Sequence, residues 1–122
     1  MKAEGFMGII GIKPIFDIYE TCNILKKIFD FIEFTEMDRD DTISFIARND
    51  EFYIALYGAT KEASEGTYSF CYNSYSSRLI PGEILENVSI EELSIHKISN
   101  RYDISSHLAK YLSEHSTLIA FS

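Results

Sequence analysis

The chain has no tryptophan, two prolines, two cysteines and three histidines in 122 residues. Cys22, followed by NILKK, and Cys71, preceded by TYSF, share no C-x-x-C or C-x-x-H spacing. That excludes a disulfide framework and the usual zinc motifs, and both are expected as reduced, buried thiols. His96, His107 and His115 lie eleven and eight residues apart, so no two form an H-x-x-x-H helix face, and they are expected as ordinary surface or boundary histidines. A cysteine–histidine nucleophile pair has no local signature here, because such pairing is spatial. No P-loop is present: the glycines at 5, 8 and 11 lead into Ile-Lys-Pro, which does not open a helix as a phosphate cradle requires. No cofactor and no metal are predicted.

Long apolar runs are missing as well. Residues 6–12 form the most apolar stretch, but it is bounded by Glu4 and Lys13-Pro14 and lacks a small-residue cleavage site, so it is expected as a strand rather than a signal peptide. It falls far short of the roughly 20 residues of a membrane span. Positive charge is scarce: 11 Lys and Arg against 19 Asp and Glu give a formal net charge of −8 and a pI near 4.8. Such a chain is repelled by phosphate backbones, so direct nucleic-acid binding is not expected, whereas a basic protein partner is. Asn87-Val-Ser89 fits a glycosylation acceptor, which matters only in a secreted chain.

What is abundant is large apolar side chains, with nine Phe and eight Tyr in a composition 46% hydrophobic. At this length they suffice for one core, so residues 1–122 are expected to form a single α+β domain. Residues 8–18 (GIIGIKPIFDI) are rich in strand formers, and the proline inside them suggests an edge strand. Across residues 19–34, Cys22, Leu25, Phe29 and Ile32 recur at helical spacing, with Glu20, Lys26, Lys27, Asp30 and Glu33 on the other side. Residues 36–41 (EMDRDD) read as a polar break. Strands at 42–48 and 51–57 then form a hairpin through Asn49-Asp50. Residues 67–73 alternate, with Tyr68, Phe70 and Tyr72 on one face and Ser69, Cys71 and Asn73 on the other.

Residues 74–83 read as a loop through Pro81-Gly82, and residues 84–90 as a further strand. Residues 91–99 suit a helical turn capped by Ser89 or a strand equally well. Asp103 caps a helix over residues 104–115, and residues 117–121 end as a short strand. The order predicts a two-layer α+β fold: an antiparallel sheet, a meander with a central hairpin, with helices packed on one face.

The acids are unevenly placed. Between residues 30 and 65 there are ten acids against three bases, a surplus of seven that supplies nearly all of the net charge. Asp38, Asp40 and Asp41 do not make a calcium loop, since one starting at Asp38 requires Gly at its sixth position and Glu at its twelfth, where this chain has Ile43 and Asn49. Several tyrosines fall in the same region and offer rigid amphipathic contacts beside carboxylates. The predicted partner-binding set is Glu36, Asp38, Asp40, Asp41, Asp50, Glu51, Tyr53, Tyr57, Tyr72 and Tyr75. The competing reading makes the acids a solubilising surface and the tyrosines sheet lining.

In size, acidity and its EMDRDD and EFYIALY stretches the chain resembles the immunity proteins of bacterial contact-dependent inhibition and polymorphic toxin systems. That resemblance implies a cytoplasmic, non-enzymatic inhibitor, a monomer or weak dimer when free, which binds and blocks one cognate toxin domain, a nuclease or similar. It transfers no residue roles. Two alternatives stand beside it. One is an acidic secretion-type chaperone, which would dimerise and expose an apolar patch. The other is a glyoxalase-like metal or small-molecule module, whose paired βαβββ units residues 8–34 resemble, although the first strand offers only Asp17 as a ligand.

Overall fold

The computed structural model describes residues 5–39, 42–58, 66–75 and 82–122. Strand β1 (Phe6–Ile12) is followed by helix α1 (Ile18–Ile28), a meander of β2 (Thr35–Arg39), β3 (Thr42–Arg48), β4 (Phe52–Tyr57) and β5 (Tyr68–Ser74), then β6 (Ser94–His96), β7 (Arg101–Asp103), helix α2 (Ser105–His115) and β8 (Ala120–Phe121). The strands form one sheet ordered β2-β3-β4-β5-β1-β7-β6, with β8 also on β1. Among the described residues every pairing is antiparallel except β1 with β7.

β1 is not the edge strand its proline suggested. It pairs with β5 along its whole length, and on its other side with β7 at Phe6–Met7 and with β8 at Gly11–Ile12. The strand ends at Ile12, so Pro14 lies beyond the ladder, and Lys13 still donates its N–H to the Ile119 carbonyl at 2.9 Å. Between the two short partners, the Ile9 N–H donates to Ser105 Oγ at 3.0 Å, and this side chain stands in for the missing strand.

α1 starts where Asp17 accepts the Glu20 N–H at 2.8 Å, so this carboxylate serves as a helix cap and belongs to no strand. The helix ends at Ile28, earlier than the apolar period implied, because Phe29 leaves the helical conformation with φ −110° and ψ 75°. A turn closed by the Ile32 N–H on the Phe29 carbonyl then returns Ile32 to the core.

Asp38, with Glu36 before it, belongs to β2 rather than to a polar break. This outer strand exposes the side chains of Thr35, Glu36, Met37 and Asp38, so no apolar alternation announced it. The hairpin at Asn49-Asp50 forms as expected, with Asn49 Oδ1 accepting the N–H groups of Glu51 and Phe52 at 2.7 and 3.0 Å. The strand expected over residues 84–90 is replaced by two short 3-10 turns, Gly82–Leu85 and Ile90–Glu92, separated by Asn87 at a left-handed φ of 65°. They bury Ile84 and Leu93 instead of extending the sheet. Residues 90–96 combine both readings offered for them, a helical turn and then β6. At the start of α2, Asp103 Oδ1 accepts the Ser105 N–H at 2.9 Å and its hydroxyl at 2.6 Å, and the helix begins one residue later than expected.

Both helices lie on the same side of the sheet. Phe29, just after α1, meets the rings of Phe70 and Tyr72 at 5.9 and 5.6 Å. Those residues lie opposite Ile10 and Gly8 of β1. Gly8 is the seat of α2: a Cβ there would stand 3.0 Å from Leu108 Cδ2 and 3.6 Å from the Ser105 Cα. One apolar core, running from Phe6 to Leu118, fills the space between sheet and helices. The architecture is α+β, helices on one face of a mostly antiparallel sheet. Among the described residues no helix is long and apolar enough to cross a membrane.

Candidate protein-binding surface

With both helices on one side, no helix of the described residues covers the other face of the sheet, and the register dictates which side chains lie on it. Side chains alternate along a strand, so residues opposite one another across the ladder share a face. The middle row of the open face is Thr35, Ile46, Ala55, Cys71 and Ile9. A second row runs Met37, Ser44, Tyr57, Ser69, Gly11 and Phe121, and a third runs Arg48, Tyr53, Asn73, Met7 and Asp103, with Met7 buried beneath Ser99, whose Oγ lies 3.1 Å from its sulfur.

Tyr53 and Tyr57 dominate the centre. Their Cα atoms are about 13 Å apart at the usual strand rise, yet their hydroxyls are hydrogen-bonded at 2.8 Å. The rings therefore lie along β4 toward each other and roof Ala55, which is 0% exposed although it points to the open side. Burial, and then the hydrogen bond from Tyr53, push the Tyr57 pKa well above its ordinary value of 10.0. A cleft of about 560 Å³ lies between this pair and the outer strands, with Thr35 and Met37 of β2, Ile46 and Arg48 of β3, and Glu33 on its walls.

The residues expected to bind a partner are thus divided. Tyr53 and Tyr57 are on the open face. Glu36 and Asp38 lie opposite Phe45 and Ile43, on the helix side of the sheet. There they face Tyr19, whose pKa is raised by its hydrogen bond to Glu36, by desolvation and by the Glu36, Asp38 and Asp17 charges. Asp40 and Asp41 lie outside the described residues. Asp50 and Glu51 sit in the β3–β4 turn, at the other end of the sheet, about 20 Å from Asp38 along the strands at the usual rise. Beside that turn the Tyr75 N–H donates to the Glu51 carbonyl at 2.8 Å, and the Arg101 guanidinium lies 4.4 Å above the Tyr75 ring.

Tyr72 does not belong to any surface. It points with Phe70 into the core and is 0% exposed, so it cannot touch a partner. The signal was present in the alternation: Ser69, Cys71 and Asn73 are the polar set and mark the open side. Thr35 and Met37 were missed because they lie on β2, a strand without a pattern, and Ile46 and Arg48, on the expected strand 42–48, because a cleft forms there only once β2 pairs with β3.

The remaining chemistry-bearing groups are dispersed. Cys22 is buried on the inner face of α1, and its thiol is pushed up to about 11 by burial. Cys71, half-buried, is on the opposite face, also with a raised pKa from burial. His96 Nδ1 is 3.3 Å from Ser99 Oγ in the β6–β7 turn, and the His115 ring stacks on Tyr111 at 4.4 Å. Among the described residues no three of the His, Cys, Asp and Glu side chains gather as a metal site. No protein-family model, no curated protein and no solved structure matches this chain.

Proposed function

We propose that this chain is an immunity-type binding protein: it docks one basic toxin domain in the cytoplasm and blocks it stoichiometrically, with no reaction of its own. The observation that carries the reading is the sheet face opposite the helices, with the Tyr53–Tyr57 pair at its centre and a cleft running to strand β2. Tyrosines held by a mutual hydrogen bond present large apolar area at small entropic cost, the property of interface anchors. A net charge of −8 accelerates encounter with a basic domain and orients it, while the buried contacts set how slowly it leaves. Asp50 and Glu51 stand at the β3–β4 turn and Glu36 and Asp38 on the helix side of β2, so these acids do not form one acidic loop around the tyrosines.

The test is capture from the native host with the tagged full-length chain. One basic polypeptide retained at one-to-one, and released progressively as salt rises from about 0.1 to 1 M, supports the reading. Retention of nothing, or of the chain itself alone, overturns it. A second reading, a small anionic ligand, is favoured by the volume of the cleft and by Arg48 on its wall. A rise in melting temperature with a small carboxylate or phosphate compound, lost in Arg48→Ala, would select it.

A further inference from the structure

β2 is the outermost strand, and among the described residues it pairs with β3 alone. Its side chains Thr35, Glu36, Met37 and Asp38 are all exposed. The direction of its main-chain groups follows from the ladder. The Gly58 N–H donates to the Ile43 carbonyl at 2.9 Å, so the peptide groups of Ile43 point toward β4. Main-chain groups alternate in direction along a strand, so those of Thr42, Ser44 and Ile46 point toward β2 and meet Arg39, Met37 and Thr35. By the same alternation the N–H and C=O groups of Glu36 and Asp38 point away from the sheet. The outward edge therefore offers two donors and two acceptors, each set on a residue that carries a carboxylate.

From this we infer that the partner docks by adding a strand to β2, an inference that rests on the binding reading above. The incoming segment alternates basic and apolar residues. Residues opposite Glu36 and Asp38 share their side of the sheet and must be Lys or Arg, since opposite charges facing across a ladder stabilise it and like charges oppose it. The residues between them fall on the open side, beside Met37 and the cleft, and are apolar or aromatic. Main-chain bonds supply affinity and the alternation supplies selectivity, the usual division in strand addition.

A second copy of this chain is the occupant that the same geometry disfavours. Antiparallel β2–β2 pairing would set Glu36 and Asp38 against their own counterparts, four carboxylates on one side. The acids thus protect the edge from self-association while leaving it open to a basic strand.

The probe is a synthetic capped octapeptide alternating Lys and Val, compared with an isomer of the same composition whose lysines are grouped. Amide exchange of the full chain is followed by NMR. In the free chain the Glu36 and Asp38 amides should exchange fast and those of Thr35 and Met37 should be protected. With the alternating peptide, Glu36 and Asp38 should gain at least tenfold protection, and this peptide should bind at least fivefold more tightly than the grouped isomer. Glu36→Lys combined with Asp38→Lys should weaken it by more than tenfold.

Equal binding of both isomers, or no gain at Glu36 and Asp38 at millimolar peptide, overturns strand addition. If a basic partner is captured but leaves those two amides exchanging, the docking mode falls and the inhibitor reading stands. If the peptide protects them and no partner is captured, strand addition stands and the inhibitor reading falls.

Discussion

Replacing Tyr72 by alanine separates a core residue from a contact residue. The side chain is completely buried, with the Phe29 ring 5.6 Å away, and its row continues to Ile54 of β4 and Gly8 of β1. Large-to-small truncation of such an aromatic residue costs about 3–5 kcal/mol, because the transfer energy is lost and a cavity remains. A domain of this size has about 5–15 kcal/mol in total, so about a fifth or more of the stability would go. At roughly 4 °C per kcal/mol the melting temperature would fall by about 12–20 °C. Urea unfolding followed by far-UV circular dichroism measures it, with the slope against urea expected to be unchanged. A loss under about 1 kcal/mol would refute the placement and return Tyr72 to the surface. Tyr53→Phe serves as the control: it removes one half-exposed hydroxyl bond, worth about 0.5–1.5 kcal/mol, and leaves the core intact.

Other perturbations address the remaining supports of the fold. Gly8→Val should lower stability by about 1–3 kcal/mol, since the new Cβ presses on Leu108 and Ile104, and calorimetry reads it. Ser105→Ala should cost about 1 kcal/mol and speed exchange of the Ile9 amide, whose hydrogen-bond acceptor it deletes. Cys22 is raised from 9.0 to about 11 by burial, so the stability from its neutral thiol is fully present below pH 9. That stability declines as pH rises toward 11, because the unfolded chain loses the proton first. Denaturation midpoints taken between pH 7 and 11 should fall in that window in the native chain, and the Cys22→Ala variant should show a smaller fall.

The elements legible in the sequence are those with one buried face. α1, the Asn49-Asp50 hairpin and β5 each carry a period that burial enforces, and each is present, although α1 ends at Ile28, short of the expected residue 34. β2 is exposed on both sides and left no period to read. β1 is an unbroken apolar run, a pattern compatible with an edge or an interior position, and its proline belonged to the next segment. Over residues 82–93 the left-handed Asn87 breaks a stretch whose composition suits a strand. The acids of the candidate site were visible individually, but the face each one occupies depends on register. Glu36 and Tyr53 therefore looked like neighbours and lie on opposite sides of the sheet.

The most direct measurement of the central claim is protection in cells. The basic domain recovered by capture is expressed alone, with this chain, and with its Tyr53→Ala/Tyr57→Ala variant, and growth is followed at matched protein levels. Growth arrest by the domain alone, full rescue by the native chain, and loss of rescue by a double variant that circular dichroism finds folded are the expected results. Arrest that the native chain does not relieve, or rescue undiminished in the folded variant, would contradict that claim.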